Sequence, residues 1–212
     1  MLHILKISVT ASLLLAVVIL TIQIIKTFSF GKRSFYASPR GNSTKGIIYA
    51  FGQGMTPWEK ESAGKHLSTY LAGVLYHLGV FSSLLYLFLL IIAYTLPPII
   101  INILRLLLFI GFLCGFALLV KRLSSSKMRA ISCPDDYASN IIVNLFLALT
   151  LVHTYTSSIT SYYYITAIVL FLYVPVGKIR HCFFFFYVRI LFGIFYGRRN
   201  VLPPRKKIEF GK

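Results

Sequence analysis

The sequence predicts an all-α membrane protein: a five-transmembrane-helix bundle with its N-terminus outside and its C-terminus in the cytoplasm. Hydrophobic residues make up 57% of the 212-residue chain and charged residues only 13%, a balance typical of integral membrane proteins. Five apolar stretches reach the roughly 20 residues that a helix needs to cross a bilayer. They lie at about 8–25, 66–94, 98–120, 137–155 and 162–188. Little is left for a soluble domain, so we expect a single membrane domain over 1–212.

The basic residues set the predicted orientation. The net charge is +17, and the basic residues cluster in the predicted cytoplasmic loop 27–65, between spans three and four, and from Lys178 into the basic tail 189–212. The loops around 95–98 and 156–162 have none. Because positive loops stay in the cytoplasm, the first loop and the tail should be inside. The excess of basic residues is explained by this positive-inside bias and by contact with anionic membrane lipids, or in smaller part by an acidic cytoplasmic partner. A nucleic-acid partner is not expected.

Local signals define the ends of the spans. The first span is longer than the apolar core of a signal peptide and lacks a small-residue cleavage site, so we expect it to be retained. Thr56 and Pro57 are typical of a helix start, and Trp58 of an interfacial anchor; a short amphipathic surface helix should lead from there into span two. Pro97 and Pro98 should begin span three. Residues 132–137 should form the loop and acidic N-cap of span four. The segment around Pro175 should bend span five.

Two histidines on the second span suggest a cofactor site. His66 and His77 are eleven residues apart, which on an α-helix is three turns plus about 20°, so both rings should face one way about 16 Å apart. Tyr70 and Gly73 share this stripe, and the missing side chain at Gly73 would let a macrocycle approach the backbone. Ionisable groups at membrane depth are usually functional, and imidazoles from several helices are what haem b ligation requires. A lone membrane histidine can also be a hydrogen-bonded packing residue.

Topology then selects the partners of these two histidines. The start of span two and the end of span five both face the cytoplasm, so His66 and His181 should lie at similar depth and hold one haem. The neighbouring cations would neutralise its propionates; they are Lys65, Lys178 and Arg180. Spans two and four run parallel, so His77 and His153 can share a second haem nearer the outside.

Arg105, the cysteines and the acidic residues also bear on function. Arg105 is the one strong charge well within span three; it either snorkels to the outer interface, neutralises a propionate of the outer haem, or forms the polar wall of a quinone pocket. The three cysteines show no metal or disulfide spacing, and no CxxCH motif for covalent haem is present. All five acidic residues lie outside the predicted spans, which disfavours a proton pump.

The chain resembles the cytochrome b membrane subunits of the respiratory nitrate reductase gamma family, most of all those associated with heterodisulfide-reductase-like iron–sulfur proteins and sulfite-reduction complexes. The resemblance rests on KESAGKHLSTYLAGVLYHLG, residues 60–79, and on VPVGKIRHCFFFFYVRILFGIFYGRR, residues 174–199. It covers roughly residues 55–205, and His66, His77 and His181 match its ligand positions. The family's further ligand on the last span falls at Tyr163, so either His153 substitutes or the second haem is missing.

The resemblance implies a membrane subunit of the prokaryotic inner (cytoplasmic) membrane that carries one or two b haems. It would transfer electrons between menaquinone or ubiquinone and a cytoplasmic iron–sulfur or molybdenum partner of a respiratory complex, as an oxidoreductase subunit rather than an enzyme alone. One alternative is a haem-free membrane scaffold or transporter subunit with structural histidines. Another is a haem-sensing or haem-handling membrane protein.

Overall fold

The computed structural model describes residues 1–29 and 38–204; the parts of the predicted loop and tail at 30–37 and 205–212 lie outside the described residues. These ranges contain helices and no strand. The helices are α1 (Leu2–Ser29), α2 (Ser43–Phe51), α3 (Glu61–Lys65), α4 (Leu67–Ile91), α5 (Pro98–Ser124), α6 (Ser126–Ala130), α7 (Pro134–His153), α8 (Thr160–Tyr173) and α9 (His181–Arg198). Short 3₁₀ turns lie at Gln53–Met55, Pro57–Glu59, Ser157–Ile159 and Lys178–Arg180.

The predicted class, an α-helical membrane protein, is confirmed. Five segments are long and apolar enough to cross a membrane: Leu2–Ser29, Leu67–Ile91, Pro98–Ser124, Pro134–His153 and Lys178–Arg198. The first four match predicted spans to within several residues at each end. The apolar segment Ser157–Tyr173 is shorter.

The prediction of one continuous fifth span over 162–188 is wrong. α8 ends at Tyr173, and α9 begins only at His181. Pro175 has no backbone N–H to continue the helix, and the N–H of Gly177 instead donates to the carbonyl of Tyr173 at 2.9 Å. Pro175 therefore predicted the position of the disruption but not its extent, which is a complete break rather than a bend.

Backbone and capping bonds explain where the long helices stop and start. α4 ends as Ala93 takes a left-handed conformation with φ of 57°, and the N–H of Tyr94 donates back to the carbonyl of Leu89 at 2.9 Å, as in a Schellman motif. α7 begins with Pro134 in its first turn, and Asp136 accepts the N–H of Cys133 at 2.9 Å. The predicted acidic start of this span is thus present, with Cys133 as the N-cap.

The described residues form two compact units. The first contains Met1–Leu20 and Ser68–Arg180, and the second contains Thr21–Leu67 and the described part of His181–Lys212. The reason is that 38–65 is not a plain loop: α2 lies within it and packs along α9. Near Trp58, the expected amphipathic helix is replaced by a 3₁₀ turn and the five-residue α3.

The second unit depends on close contact between α2 and α9. Gly46 is buried, and a methyl group added there would lie 2.6 Å from the Cα of Gly197. The N–H groups of Arg40 and Gly41 both donate to the carbonyl of Arg198 at 3.0 Å, which satisfies a carbonyl at the end of α9. The glycines at 193 and 197 form the GxxxG spacing that lets helices approach closely.

The core of the first unit lies among α1, α4, α5, α7 and α8. It consists of Val9, Ala16, Leu87, Leu104, Leu108, Val143, Phe146, Leu147, Tyr163, Tyr164, Ala167, Leu170 and Phe171. α4 and α5 approach most closely where Gly79 meets Gly111, because a methyl group on Gly79 would lie 2.8 Å from the Cα of Gly111. The same change at Gly73, six residues earlier on α4, would meet no described atom within 4 Å.

These two glycines provide a matched test of the packing. We expect Gly79→Ala to destabilise the protein by about 1–3 kcal/mol, because the added methyl group forces two backbones apart. Gly73→Ala should leave stability unchanged or slightly raised, since alanine favours a helix and has room there. Thermal unfolding in detergent measures both; equal melting temperatures for the two variants would contradict the α4–α5 contact.

Candidate functional site

His77 lies on an exposed face of α4 with its ring orientation fixed by the backbone. Its Nδ1 is 2.7 Å from the carbonyl oxygen of Gly73. A carbonyl oxygen only accepts, so Nδ1 carries the proton and the lone pair is on Nε2. Metal-binding histidines typically donate their other ring N–H in this way. The side chain is exposed, and the space above Gly73 is open among the described atoms, so His77 and Gly73 fit the approach of a flat macrocycle.

His66 is not on the helix that carries His77. It is the C-cap residue of α3, with φ of −131° and ψ of 51°, and α4 begins at the next residue. The predicted helical stripe from His66 to His77 is therefore wrong at its first member, because the backbone leaves the helical conformation at His66. Tyr70, Gly73 and His77 remain together on α4.

The other predicted residues of the inner haem lie at exposed positions. His181 is the first residue of α9, and His66 and His181 both belong to the second unit. Lys65 ends α3, and Arg180 ends the 3₁₀ turn before α9. Lys178 donates to Asp136 at 2.7 Å, so its charge is already matched by a carboxylate of α7 rather than held for a propionate.

His153 is buried, and protein groups engage both of its ring nitrogens. The Thr160 hydroxyl donates to the carbonyl of Ser157 at 2.6 Å, so its oxygen accepts the Nε2–H of His153 at 3.0 Å. The bare Nδ1 of His153 then accepts the hydroxyl of Tyr86 at 3.0 Å. His153 is only 8% exposed, and all its hydrogen-bonding capacity joins α4, α7 and α8.

The structure does not bring His77 and His153 together. His153 bonds to Tyr86, which is nine residues beyond His77 on α4. Nine helical residues amount to about 14 Å and two and a half turns, so Tyr86 lies on the opposite side of α4 from His77. One iron cannot bind both imidazoles in this arrangement, and the predicted pairing for the outer haem does not fit.

The ring of Tyr163 occupies the space beside His153 where that haem would lie. Its ring is fully buried, stacked on Phe146 with centroids 5.5 Å apart and tilted against His153 at 5.0 Å. Protein side chains therefore fill the space that a macrocycle between α7 and α8 would need. His153 does not fit the role of a haem ligand, and its surroundings are those of a packing histidine.

The Arg105 side chain bonds to the C-terminal end of α7. Its Nε–H donates to the hydroxyl of Thr154 at 3.1 Å and an Nη2–H donates to the Thr154 carbonyl at 2.5 Å, while an Nη1–H donates to Asn102 at 3.1 Å. The guanidinium also lies 3.9 Å from the centre of the Tyr155 ring. A cation here stabilises the negative end of the α7 dipole, a role that the sequence did not suggest.

A surface pocket of about 310 Å³ lies beside this guanidinium. Its lining combines polar and apolar side chains: Asn102, Arg105, Leu106, Phe109, Leu151 and Tyr155. The three roles expected for Arg105 stay predictions.

A polar cluster between α5 and α7 is a second feature that sequence reasoning did not resolve. The Asn144 amide donates to the Asn140 side chain at 2.5 Å, and Asn140 donates to the carbonyl of Gly115 at 3.4 Å. Asn144 is 6% exposed. The GxxxG spacing of Gly111 and Gly115 is the signal that would have placed a close helix contact here.

Among residues 1–29 and 38–204, no three His, Cys, Asp or Glu side chains are grouped so as to bind a metal ion. No protein-family model, no curated protein and no solved structure matches this chain. The family resemblance of the two quoted motifs therefore stays a prediction.

If His153 is a packing residue, its replacement should lower the stability of the protein without changing its cofactor content. His153→Ala should lower the stability by about 2–4 kcal/mol, because the hydroxyls of Tyr86 and Thr160 both lose their buried partner. The amount of any chromophore that co-purifies per folded chain should not change. Thermal unfolding and absorbance of the same preparation measure the two effects; a lost chromophore in a variant of normal stability would restore His153 as a ligand.

Proposed function

We propose that this protein is a b-type haem subunit that carries electrons between membrane quinone and a redox partner. The observation that carries the proposal is the state of His77: an exposed ring on α4, with Nδ1–H donated to Gly73 and the lone pair on Nε2. A neutral imidazole in this tautomer is the form that binds haem iron. The open space at Gly73 supports the same reading.

We further propose His66 and His181 as axial ligands in the second unit. Both rings are exposed, and both match the ligand pattern of the family that the sequence resembles. Lys65 and Arg180 flank them in the chain and would supply positive charge to haem propionates. Bound haem supplies one-electron ferric–ferrous chemistry. The chain contributes the imidazoles, the low-dielectric surroundings and the nearby cations that set the potential.

The basic charge of the chain supports a choice of partner and location. A subunit of this kind passes electrons to a cytoplasmic iron–sulfur or molybdenum protein, and its basic cytoplasmic segments suit an acidic docking face. We propose the inner membrane of a prokaryote as its location, with the quinone pool as the other electron partner.

The orientation is part of the same proposal. With the N-terminus outside, the connections 92–97 and 154–159 face outside and carry no Lys or Arg. The connection 125–133 and the segment from Lys178 onward face the cytoplasm with their cations, as the positive-inside rule requires. In this proposal the fifth crossing is made by α8, although it is shorter than the candidate segment Lys178–Arg198, and Lys178–Arg198 lies on the cytoplasmic side.

Replacing the proposed ligands tests the function. His77→Ala, His66→Ala and His181→Ala should each lower the haem b content per chain, because an axial imidazole is lost. The pyridine haemochrome assay on detergent-purified protein measures this content. His3→Ala is the matched control, since His3 is an exposed histidine near the start of α1.

Full haem content in all three variants would refute the ligand assignment. No haem in the wild-type protein would favour the alternative of a membrane scaffold or transporter subunit with structural histidines.

Cysteine labelling tests the orientation. In a variant with Cys114→Ala and Cys182→Ala, the exposed Cys133 should react with a membrane-impermeant maleimide only in inverted vesicles. With all three native cysteines replaced by alanine, Thr156→Cys should react only in intact cells. The reverse pattern would place the N-terminus in the cytoplasm.

A further inference from the structure

α9 has an exposed apolar surface on the side away from α2. Gly193 and Gly197 lie on the side that packs against α2, and both are buried. Roughly opposite these glycines, at 100° per residue, four apolar side chains are exposed. They form what we call the apolar stripe: Val188, Leu191, Phe192 and Phe195.

Cations gather at the C-terminal end of this stripe. The guanidinium of Arg199 lies 3.4 Å from the centre of the Phe195 ring, so one cation stands directly against the stripe. The start of α2 meets the same end of α9, where the N–H of Arg40 donates to the carbonyl of Arg198 at 3.0 Å. The sequence of α9 contains no Asp or Glu. The cations that these contacts bring to one end are what we call the basic end: Arg40, Lys45, Arg198 and Arg199.

A membrane crossing does not suit α9, although its length and hydropathy allow one. Arg189 is the ninth of its 18 residues, so a crossing would place a guanidinium near the bilayer centre, where an arginine is costly. α2 has only nine residues, about 14 Å, and packs along α9, so a crossing would also take Lys45 and the polar ends of α2 into hydrocarbon. A helix parallel to the membrane surface keeps its cations at the headgroups while its apolar side chains face the acyl chains.

Chain length and charge both favour phospholipid as the molecule that covers the stripe. In the orientation proposed above, α9 follows the crossing made by α8 after the seven residues 174–180. Seven residues reach at most about 25 Å, so α9 begins close to the cytoplasmic surface of the membrane. An acidic phospholipid offers acyl chains to the apolar stripe and a phosphate to the basic end, whereas an acidic protein face matches only the charge.

We propose that α9, supported by α2, lies in the plane of the cytoplasmic leaflet and binds acidic phospholipid. The apolar stripe enters the acyl-chain region, and the basic end binds the lipid phosphates. The inference rests on the orientation given with the proposed function, which puts α9 on the cytoplasmic side, and it does not depend on haem.

A tryptophan on the stripe reports the lipid contact in the full chain. Trp58 is the single tryptophan of the sequence, so Trp58→Phe gives a background without tryptophan fluorescence. In that background, Phe192→Trp puts a reporter on the stripe and Ile190→Trp is the matched control. The two positions are 39% and 42% exposed and point to roughly opposite sides of α9. The variants are reconstituted in vesicles of phosphatidylcholine and phosphatidylglycerol with bromine on the acyl chains, and each is compared with itself in lipid without bromine.

Brominated lipid should quench the Phe192→Trp variant roughly threefold more strongly than the Ile190→Trp variant, because only the stripe faces the acyl chains. Strong and equal quenching would show that α9 crosses the bilayer, and no quenching at either position would show that protein or water covers the stripe. Either result would overturn the inference. Val188→Trp, on the same stripe, gives a second reporter if Phe192→Trp does not fold.

The lipid composition tests the basic end. In vesicles of phosphatidylcholine alone, quenching of the Phe192→Trp variant should fall roughly twofold. Adding Arg198→Gln and Arg199→Gln should cause a similar fall in the mixed vesicles. Lys127→Gln with Arg129→Gln is the matched control, since it removes two exposed cations from the first unit. Equal quenching with and without phosphatidylglycerol, or an equal fall in this control, would overturn the binding of acidic phospholipid.

The haem content of the same preparations separates this inference from the electron-transfer proposal. Each quenching ratio compares one variant in two lipids, so bound haem affects both measurements alike. A chain that holds no haem but shows the expected quenching would refute electron transfer and support the lipid surface. A chain that holds haem but shows equal quenching at 190 and 192 would refute only the lipid surface.

Discussion

The absence of water in the hydrocarbon core is the constraint on which the rest of this structure depends. Inside lipid, each polar group must find its partner within the chain. Thr150 donates to the carbonyl of Phe146 at 2.7 Å, and Ser83 donates to Val80 at 2.8 Å, so these buried hydroxyls are satisfied by their own helices. Larger groups need neighbouring helices: Arg105 of α5 bonds to Thr154 after α7, and His153 bonds to α4 and α8.

This constraint separates two histidines that look alike in sequence. His153 faces inward, where hydroxyls from two helices use both of its nitrogens. His77 faces outward, where the carbonyl of Gly73 holds Nδ1–H and directs the lone pair to Nε2. His153 therefore contributes to packing, whereas His77 keeps an exposed imidazole whose Nδ1–H is already bonded. The difference lies in the hydrogen-bond partners and not in the spacing along the chain.

Hydropathy was sufficient to predict the class of fold and four of the spans, because lipid requires each spanning helix to be long and apolar by itself. It was not sufficient for contacts between helices. Pro175 signalled a disruption, but only the backbone bonds around Gly177 show that the helix ends there. The pairing of α2 with α9 joins glycines about 150 residues apart, and the GxxxG spacing at 193–197 was its only local signal. One partner of His153, Tyr86, is likewise distant in sequence, so the order of the spans alone did not reveal that contact.

The central proposal is that a haem iron bound by an outward-facing imidazole of α4 passes single electrons. The reduced-minus-oxidised absorption spectrum of the purified wild-type protein tests it most directly. The account predicts the α and Soret difference bands of b-type haem when dithionite is added to the air-oxidised sample. A flat difference spectrum, from protein that is folded and was expressed with ample haem, would contradict it.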